Sequence, residues 1–514
     1  MVKFNKLDAV IRSESGNNYY VNRKIPQVLL IHPILKFLIE MKEKGNLGQW
    51  IKDLHSQEVD EIELEKGSFA APKDILFYND YLVFLDQNGY FEEVERHPMT
   101  PKSYNASDVK WELANTGQIV FEVTESCNLE CKYCGLGDLY TNSYKRENKN
   151  FDLNIAFKVL DYMVDLFESP LNRKHCKKIS LSFYGGEPLL NMPFIEEIVR
   201  YANNRTLTNK IFEFTMTTNG ILLDRYMDFL AENDFLVLVS LDGNKKNSEY
   251  RNFPDGSPSF QTVYDNLLKL KKKYPDYFMK SVNFISVIHN KNSNKEVSDF
   301  FKREFNKTPI FIEISPLGIK PQKKDEYEKI SNSINAGLTP EEIIADTQKK
   351  ERILTTPLAR PLWDFLSQYC GYIFNRYDNL LYKSKRPWHV NTGTCNPFGK
   401  RIFITAQGMI LPCERIPYHL SLGHVDKNGI QLDYEKIAGQ YNRYYKNLME
   451  QCNNCSQSDR CPHCIFTMEI NDEHPICKSA INYDQLKEIL KSHLSVLEET
   501  PRYYTEILKN YYFK

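Results

Sequence analysis

The sequence has no surplus of either charge and no long apolar run. It contains 66 basic and 67 acidic residues, a formal net charge of −1, so nucleic acid is a poor candidate partner. No apolar stretch approaches the roughly 20 residues that cross a bilayer, and the segment after Met1 lacks the apolar core of a secretory signal. Internal repeats and low-complexity tracts are also absent. We therefore expect a soluble, cytoplasmic protein with no membrane partner.

Cysteine, by contrast, is abundant and clustered. Of the 12 cysteines, three form one tight group, seven fall between Cys395 and Cys477, and only Cys176 and Cys370 stand apart. In a reducing compartment, clustered cysteines hold metal or do chemistry more often than they form disulfides. Cys176 is expected to be a buried apolar residue.

The order of strand and helix patterns predicts an α/β protein with three main parts. Residues 1–92 indicate a winged-helix-like module, with a strand at 19–21 and helices at 26–44 and 73–88. Residues 93–115 are predicted to be a linker, and 116–316 alternate strands with helices, as in a partial (β/α)6 TIM-like barrel. Residues 317–390 form a bridging region, 391–477 a loop-rich cysteine domain and 478–514 a helical tail. The six barrel strands are predicted at 118–123, 179–184, 212–217, 235–241, 282–288 and 310–315.

The tight cysteine group directly follows the first predicted barrel strand. Cys127, Cys131 and Cys134 have the spacing C-x3-C-x2-C. Three thiolates on one short loop can bind three irons of a four-iron cubane and leave the fourth iron open for a small ligand. A structural zinc site would need four ligands, and this loop offers no nearby histidine.

This motif resembles that of the radical S-adenosylmethionine (SAM) superfamily. In that family the open iron binds the amino and carboxylate groups of SAM, and electron transfer into the sulfonium yields a 5′-deoxyadenosyl radical. The resemblance implies a [4Fe-4S] cluster, SAM and an external electron donor of the flavodoxin or ferredoxin type. Tyr133 stands where the family has an aromatic residue before the third cysteine.

Three further segments match the family at the carboxyl ends of predicted strands, where barrel enzymes place their sites. Residues 184–188 read Tyr-Gly-Gly-Glu-Pro, and glycines there let the backbone approach a ligand closely; the family holds the SAM amino group with this segment. Residues 217–220 and 240–243 follow the next two strands, the latter where the family contacts the SAM ribose and carboxylate, and Arg251 could pair with that carboxylate. A histidine that the family often has shortly after Asp242-Gly243 is absent from 246–249. The resemblance assigns these residues to cofactor binding: Tyr133, Gly185, Gly186, Glu187, Pro188, Thr218, Asn219, Ser240, Asp242 and Arg251.

The C-terminal cysteines resemble the seven-cysteine SPASM pattern of peptide-modifying radical SAM enzymes. By that resemblance one auxiliary [4Fe-4S] cluster takes Cys395, Cys413 and Cys464, and the other takes Cys452, Cys455, Cys461 and Cys477. With the SAM-binding cluster this implies three clusters. The fourth ligand of the first auxiliary cluster is left open between Cys370, His389 and substrate. The alternative is a zinc ribbon on Cys452, Cys455, Cys461 and Cys464, which leaves the other three cysteines unexplained.

From residue 19 to Cys477 the chain resembles maturases of ribosomally made peptides with double-glycine leaders, of the Bacteroidetes type. Residues 121–127, 182–188 and 411–415 carry this likeness. The resemblance implies a precursor peptide as partner, with Glu414 beside Cys413 as a candidate base. The N-terminal module is expected to bind the leader as an added strand near residues 19–21, beside helix 73–88. The bond formed stays open. One alternative is an anaerobic sulfatase-maturing enzyme that makes formylglycine, and another is a non-catalytic iron–sulfur or zinc scaffold.

Overall fold

The structure is a computed structural model. No helix among the residues that it describes is long and apolar enough to cross a membrane. The described residues are 8–22, 27–54, 59–65, 67–90, 103–141, 147–173, 178–208, 210–316, 318–333, 362, 365–366, 396–416, 418–458, 461, 465–467, 469–471, 474–477 and 480–511.

The N-terminal module begins with an antiparallel sheet of three strands, in the order β1-β2-β3. Helices α1 and α2, a short hairpin of β4 and β5, and helix α3 follow in the chain. The winged-helix-like assignment stays a prediction. The elements are β1 (Asp8–Arg12), β2 (Asn18–Asn22), β3 (Gln27–Ile31), α1 (Pro33–Glu43), α2 (Leu47–Leu54), β4 (Ile62–Glu65), β5 (Ser68–Ala70) and α3 (Pro72–Gln87).

Two predictions for this module were wrong. The segment 27–31, assigned to a helix, is a strand whose residues pair one for one with β2, and the helix begins only at Pro33. Proline is favoured there because its missing N–H would have no partner in the first turn. Residues 19–21, expected at the sheet edge, lie in the central strand, so the edge next to α1 in sequence belongs to β3.

Part of the predicted linker is a buried helix, α4 (Ala106–Ala114). Asn105 and Asp108 form a capping box at its start, in which each side chain accepts a hydrogen bond from the other residue's backbone N–H. Val109 and Leu113 on its inner face are fully buried. The polar residues that suggested a linker are thus helix-capping and surface residues.

Six parallel strands in sequential order form the centre of the molecule, which confirms the predicted alternation. In β8 and β10 buried residues alternate with half-buried or exposed ones, so one face of each strand is covered more fully than the other. The strands are β6 (Gln118–Thr124), β7 (Lys178–Gly185), β8 (Ile211–Thr218), β9 (Leu236–Ser240), β10 (Val282–Ile288) and β11 (Ile310–Glu313). The helices are α5 (Leu153–Glu168), α6 (Met192–Asn203), α7 (Leu223–Glu232), α8 (Phe260–Lys273), α9 (Pro275–Ser281), α10 (Asn294–Phe305) and α11 (Lys324–Ile330).

The cysteine-rich region continues the same sheet instead of forming a separate loop domain. Strand β12 pairs in parallel with β6, and three antiparallel strands extend the sheet beyond it. A helix of 21 residues, α12, follows and ends beside Cys455. The added elements are β12 (Ile402–Ile404), β13 (Met409–Leu411), β14 (Gly423–Asp426), β15 (Gly429–Gln431), α12 (Tyr434–Asn454), β16 (Glu469–Asn471) and β17 (His474–Ile476).

The predicted helical tail is present as α13 (Tyr483–Glu499) and α14 (Arg502–Tyr511). It packs on the N-terminal sheet, where Ile11 and Val21 share a buried apolar cluster with α13. Polar contacts fix this interface, because the Glu498 carboxylate accepts hydrogen bonds from the Asn17 side chain, at 2.7 Å, and from the Tyr19 hydroxyl. The N-terminal module is therefore bound to the C-terminal helices.

Candidate active site

The loop that carries Cys127, Cys131 and Cys134 leaves the carboxyl end of β6 and is held by a neighbouring loop. The backbone N–H of Glu130 donates to the carbonyl of Asn252 at 2.8 Å, and that of Lys132 donates to Tyr250 at 2.9 Å. All three cysteines are half-buried. Burial raises the pKa of the Cys131 thiol to about 12, although the charge of Arg251 opposes this effect. Three thiols on one loop are the donor set that an iron–sulfur cluster requires. Among the described residues, no group of three His, Cys, Asp or Glu side chains is already arranged around a single metal ion, so the cluster on these thiols stays a prediction.

The two glycines of the Tyr-Gly-Gly-Glu-Pro segment pack against the backbone of the residues that lead into the cysteine loop. Gly185 has a φ of +139°, and a Cβ added to it would lie 2.4 Å from the Thr124 carbonyl oxygen. A Cβ on Gly186 would lie 2.0 Å from the carbonyl oxygen of Ser126. The glycines therefore permit close approach of two backbone segments, which sequence reasoning had explained by the approach of a ligand.

Glu187 connects the ends of β7 and β8 from a fully buried position. Its carboxylate accepts hydrogen bonds from the Thr218 hydroxyl at 2.7 Å and from the backbone N–H groups of Asn219 and Leu189 at 2.7 and 3.2 Å. Burial raises the pKa of Glu187 to about 7, against the effect of these donors. Pro188 begins the short 3-10 turn Pro188–Asn191 that follows.

Asn219 extends this connection to the cysteine loop. Its side-chain amide donates to the Asn128 side chain at 2.7 Å and lies 3.8 Å from the sulfur of Cys127. Predicted site residues from the ends of β7 and β8 thus meet the first cysteine.

Asp242 and Arg251 meet through the hydroxyl of Tyr133, between two of the cysteines. The Arg251 guanidinium donates to the Tyr133 oxygen at 3.0 Å, and the Tyr133 hydroxyl donates to the Asp242 carboxylate. The other Asp242 oxygen accepts from the backbone N–H of Val287 at 3.0 Å. Ser240 ends β9 nearby in the chain and is half-buried.

Sequence reasoning missed His289, which directly follows β10. It is fully buried, its ring stacks on Tyr133 with centroids 5.8 Å apart, and its Nε2 lies 3.8 Å from Asp242. Burial lowers the pKa of His289, so the ring is neutral near pH 7. Its position at the carboxyl end of a parallel strand was the available signal.

Glu414 lies beside Cys413 and pairs with an unexpected arginine. Its carboxylate accepts from the Arg401 guanidinium at 2.7 Å and from the Cys413 thiol at 3.3 Å, whereas the neighbouring Arg415 guanidinium is 3.8 Å away. Burial would raise the pKa of Glu414, but Arg401 and hydrogen bonds outweigh burial and lower it.

Four of the remaining predicted ligands are described. Cys452 is buried near the end of α12, the backbone N–H of Cys455 donates to its carbonyl at 3.2 Å, and the N–H of Cys477 donates to the Gln451 side chain at 2.9 Å. Cys461 is half-buried. Their grouping into one cluster site stays a prediction. Cys395, Cys464, Cys370, His389 and Cys176 lie outside the described residues.

Comparison with known proteins identifies the central domain. Residues 121–303 match the family model described as the Radical SAM superfamily. An uncharacterized protein of Methanocaldococcus jannaschii is 28% identical over 333 residues, which are 64% of this chain and 95% of that protein. The radical SAM cyclopropyl synthase TigE of Paramaledivibacter caminithermalis is 22% identical over 354 residues, 66% of this chain and 65% of that enzyme.

A cysteine-type anaerobic sulfatase-maturating enzyme of Clostridium novyi is 26% identical over 238 residues, 43% of this chain and 59% of that enzyme. The chain thus spans less than two thirds of the length of either of these two enzymes. Residues 121–303 form a radical SAM domain. A radical SAM domain implies SAM and one [4Fe-4S] cluster as cofactors.

Proposed function

We propose that this protein modifies a ribosomally made precursor peptide by radical SAM chemistry and installs a crosslink in it. Cys127, Cys131 and Cys134 would hold the SAM-binding cluster. The cluster and SAM, when bound, supply a 5′-deoxyadenosyl radical that abstracts hydrogen. The segments at Gly185–Glu187, Thr218–Asn219 and Ser240–Asp242 would hold SAM, since they surround the cysteine loop at the carboxyl ends of β7, β8 and β9.

One observation carries the proposal beyond SAM binding: Tyr184, at the end of β7, contacts Phe403 of β12, with ring centroids 6.2 Å apart, and is close enough to feel charges from both cysteine regions. Burial raises the pKa of its hydroxyl, and the charges of Glu414 and Cys134 act on it in the same direction. The Cys413 segment and the SAM-cluster loop are therefore within electrostatic range of one side chain. This supports a single reaction space bounded by both cysteine regions.

Two auxiliary [4Fe-4S] clusters belong to the proposal. Cys395, Cys413 and Cys464 would hold one, and the other would use the group Cys452, Cys455, Cys461 and Cys477. Cys413 would hold its auxiliary cluster near the substrate, and that cluster, when bound, would supply an acceptor for the electron released when a crosslink closes. Glu414 would take the accompanying proton, since its carboxylate is held beside Cys413.

The N-terminal module offers a surface for the leader of a peptide substrate. Among the described residues, no strand pairs with the outer edge of β3, and Leu30 on that strand is 66% exposed. Helix α3 presents Phe77, Tyr81 and Phe84 to solvent at the spacing of one helical face. Tyr78 of α3 stacks on His32 at the end of β3, with ring centroids 4.5 Å apart.

These features suit a peptide that adds as a strand to β3. Main-chain hydrogen bonds would give affinity, and alternate side chains would contact the aromatic residues of α3. A leader bound there raises the effective concentration of the core peptide at the barrel. An external flavodoxin- or ferredoxin-like protein would supply electrons.

The test uses the full chain reconstituted anaerobically with iron and sulfide. It is incubated with SAM, a reductant and the peptide encoded by a neighbouring precursor gene, and the products are examined by mass spectrometry. We expect 5′-deoxyadenosine together with a mass change in the core of the peptide. Formation of 5′-deoxyadenosine with every candidate precursor left unchanged would contradict the peptide substrate.

The similarity to a sulfatase-maturating enzyme favours a second candidate, oxidation of a cysteine or serine to formylglycine. A sulfatase-derived peptide in the same assay separates the two, because only this candidate yields an aldehyde there. A non-catalytic scaffold would bind clusters and form no 5′-deoxyadenosine.

A further inference from the structure

The Tyr133 hydroxyl joins two buried charges of opposite sign. Arg251 donates to its oxygen at 3.0 Å, and Asp242 accepts its proton. All three side chains are less than a tenth exposed. The pair is therefore shielded from solvent and salt, unlike the exposed ion pairs elsewhere on these loops.

Both charges lie beside the second cysteine of the loop. Tyr133, which is hydrogen-bonded to both of them, stands in the chain between Cys131 and Cys134. The loop containing Arg251 is also fastened to the cysteine loop on both sides of Cys131, by the hydrogen bonds of Glu130 and Lys132. The charges thus keep a fixed position relative to the sulfur.

We propose that Arg251 and Asp242 are an opposed pair of fixed charges that sets the reduction potential of the cluster on the cysteine loop. Arg251 raises the potential and Asp242 lowers it, and Tyr133 positions both. This inference rests on the proposed function, because it requires a cluster on Cys127, Cys131 and Cys134. It gives Arg251 a role that does not depend on contact with SAM.

The sign follows from elementary electrostatics. Reduction adds one negative charge to the cluster, so a fixed positive charge beside a ligand sulfur stabilises the reduced form and a negative charge destabilises it. Cluster potentials in proteins respond to net charge, hydrogen bonding and solvent exposure. The effect is large only where water is excluded, since the effective dielectric constant is low there.

The test is a potentiometric titration of the reconstituted full-length protein without SAM, followed by electron paramagnetic resonance. The signal followed is the one that disappears when Cys127, Cys131 and Cys134 are changed together to Ala, so that it belongs to the cluster on this loop. Arg251→Gln should lower the reduced-to-oxidised ratio at a given potential at least tenfold, a shift of about 59 mV for one electron. Asp242→Asn should raise it by a similar factor. The double variant should return close to the wild-type potential, because both charges are then absent.

Glu249→Gln provides the matched control. Glu249 lies on the same loop and pairs with Lys291, but both side chains are more than a third exposed. Its removal should leave the potential unchanged. Tyr133→Phe retains both charges and should shift the potential less than either charge variant does.

The outcomes separate this inference from the proposed function. A wild-type protein that binds no iron, or shows no reducible cluster, would overturn the function itself. Intact clusters with unchanged potentials, or with shifts of the same sign in both single variants, would overturn only the charge pair. Each single variant is expected to shift the reduction potential in its own direction. If one variant does not fold, the other therefore still tests the proposal.

Discussion

The backbone N–H of Asn219 lies 2.7 Å from the carboxylate of Glu187, a group with no access to solvent. Through this contact the ends of β7 and β8 are held together, and Asn219 in turn contacts the cysteine loop. The cofactor segments found in the sequence therefore hold one another in place before any ligand binds.

The buried carboxyl of Glu187 should make stability depend on pH. Its folded-state pKa of about 7 lies above the unfolded value near 4.5, so the folded state binds the proton more tightly. This shift adds at most about 3 kcal/mol to the free energy of unfolding. The contribution is fully present below about pH 4.5 and is lost as the pH rises through 7. Glu187→Gln should lack this contribution. Unfolding by denaturant across pH 5–8 checks it, and parallel pH profiles for both proteins would contradict it.

Gly186→Ala should disrupt the cysteine loop. Its new Cβ would lie 2.0 Å from the Ser126 carbonyl oxygen, and backbone cannot yield as a flexible side chain does. We expect a loss of about 1–3 kcal/mol or more in the free energy of unfolding, together with reduced iron binding. Gly135→Ala is the control, because a Cβ there meets nothing within 4 Å. Equal iron content in the two variants would contradict the conclusion that Gly186 is needed for the close approach of the β7 end to the backbone at Ser126.

Iron content tests the three-cluster assignment. Reconstituted protein should contain roughly twelve irons per chain, as three four-iron clusters require. Changing Cys127, Cys131 and Cys134 together to Ala should remove one cluster and all SAM cleavage. One or two zinc ions with about four irons would instead support the zinc ribbon.

Glu414→Gln should separate SAM cleavage from product formation. The variant keeps a side chain of the same size near Arg401 but cannot take a proton, so 5′-deoxyadenosine should form while peptide product is lost. Arg415→Gln is the control, since Arg415 is 72% exposed and farther from the carboxylate. Normal product yield from Glu414→Gln would remove this residue from the mechanism.

Phe77→Asp combined with Phe84→Asp should weaken binding of the full precursor at least tenfold, which is about 1.4 kcal/mol. A carboxylate in place of each ring would disfavour contact with an apolar side chain of the leader. The hydrophobic core of the protein should be unaffected, because both rings are largely exposed. Leu268→Asp on α8, also exposed, should have no effect. Binding measured by fluorescence anisotropy would contradict the leader surface if all three proteins gave the same affinity.

A chain that starts near Ser107 lacks the whole N-terminal sheet. Residues Leu486, Leu490 and Leu494 of α13 share a buried cluster with the N-terminal sheet, and truncation would expose them. We expect such a chain to lose stability or aggregate.

The sequence was most informative where chemistry and periodicity coincide. The central strands were found because their apolar runs alternate with amphipathic helices. Cys127 was found from the spacing of its cysteine group, and Glu187 and Asp242 from the family resemblance, which their positions after such strands supported. Strands β12 to β15 were missed since each has only three or four residues, too few to show a period. Strand β3 was misassigned because the apolar run from Val28 to Ile31 merges in the sequence with the apolar residues of helix α1. Only the pairing of β3 with β2 shows where the strand ends and the helix begins.

The link between Asn17 and Glu498 joins residues 481 positions apart. A ribosome needs on the order of tens of seconds to make the intervening chain. Throughout that time Ile11 and Val21 lack the helix that finally covers them. The N-terminal sheet can therefore complete its packing only after the last helices emerge, and until then it is a natural client for chaperones.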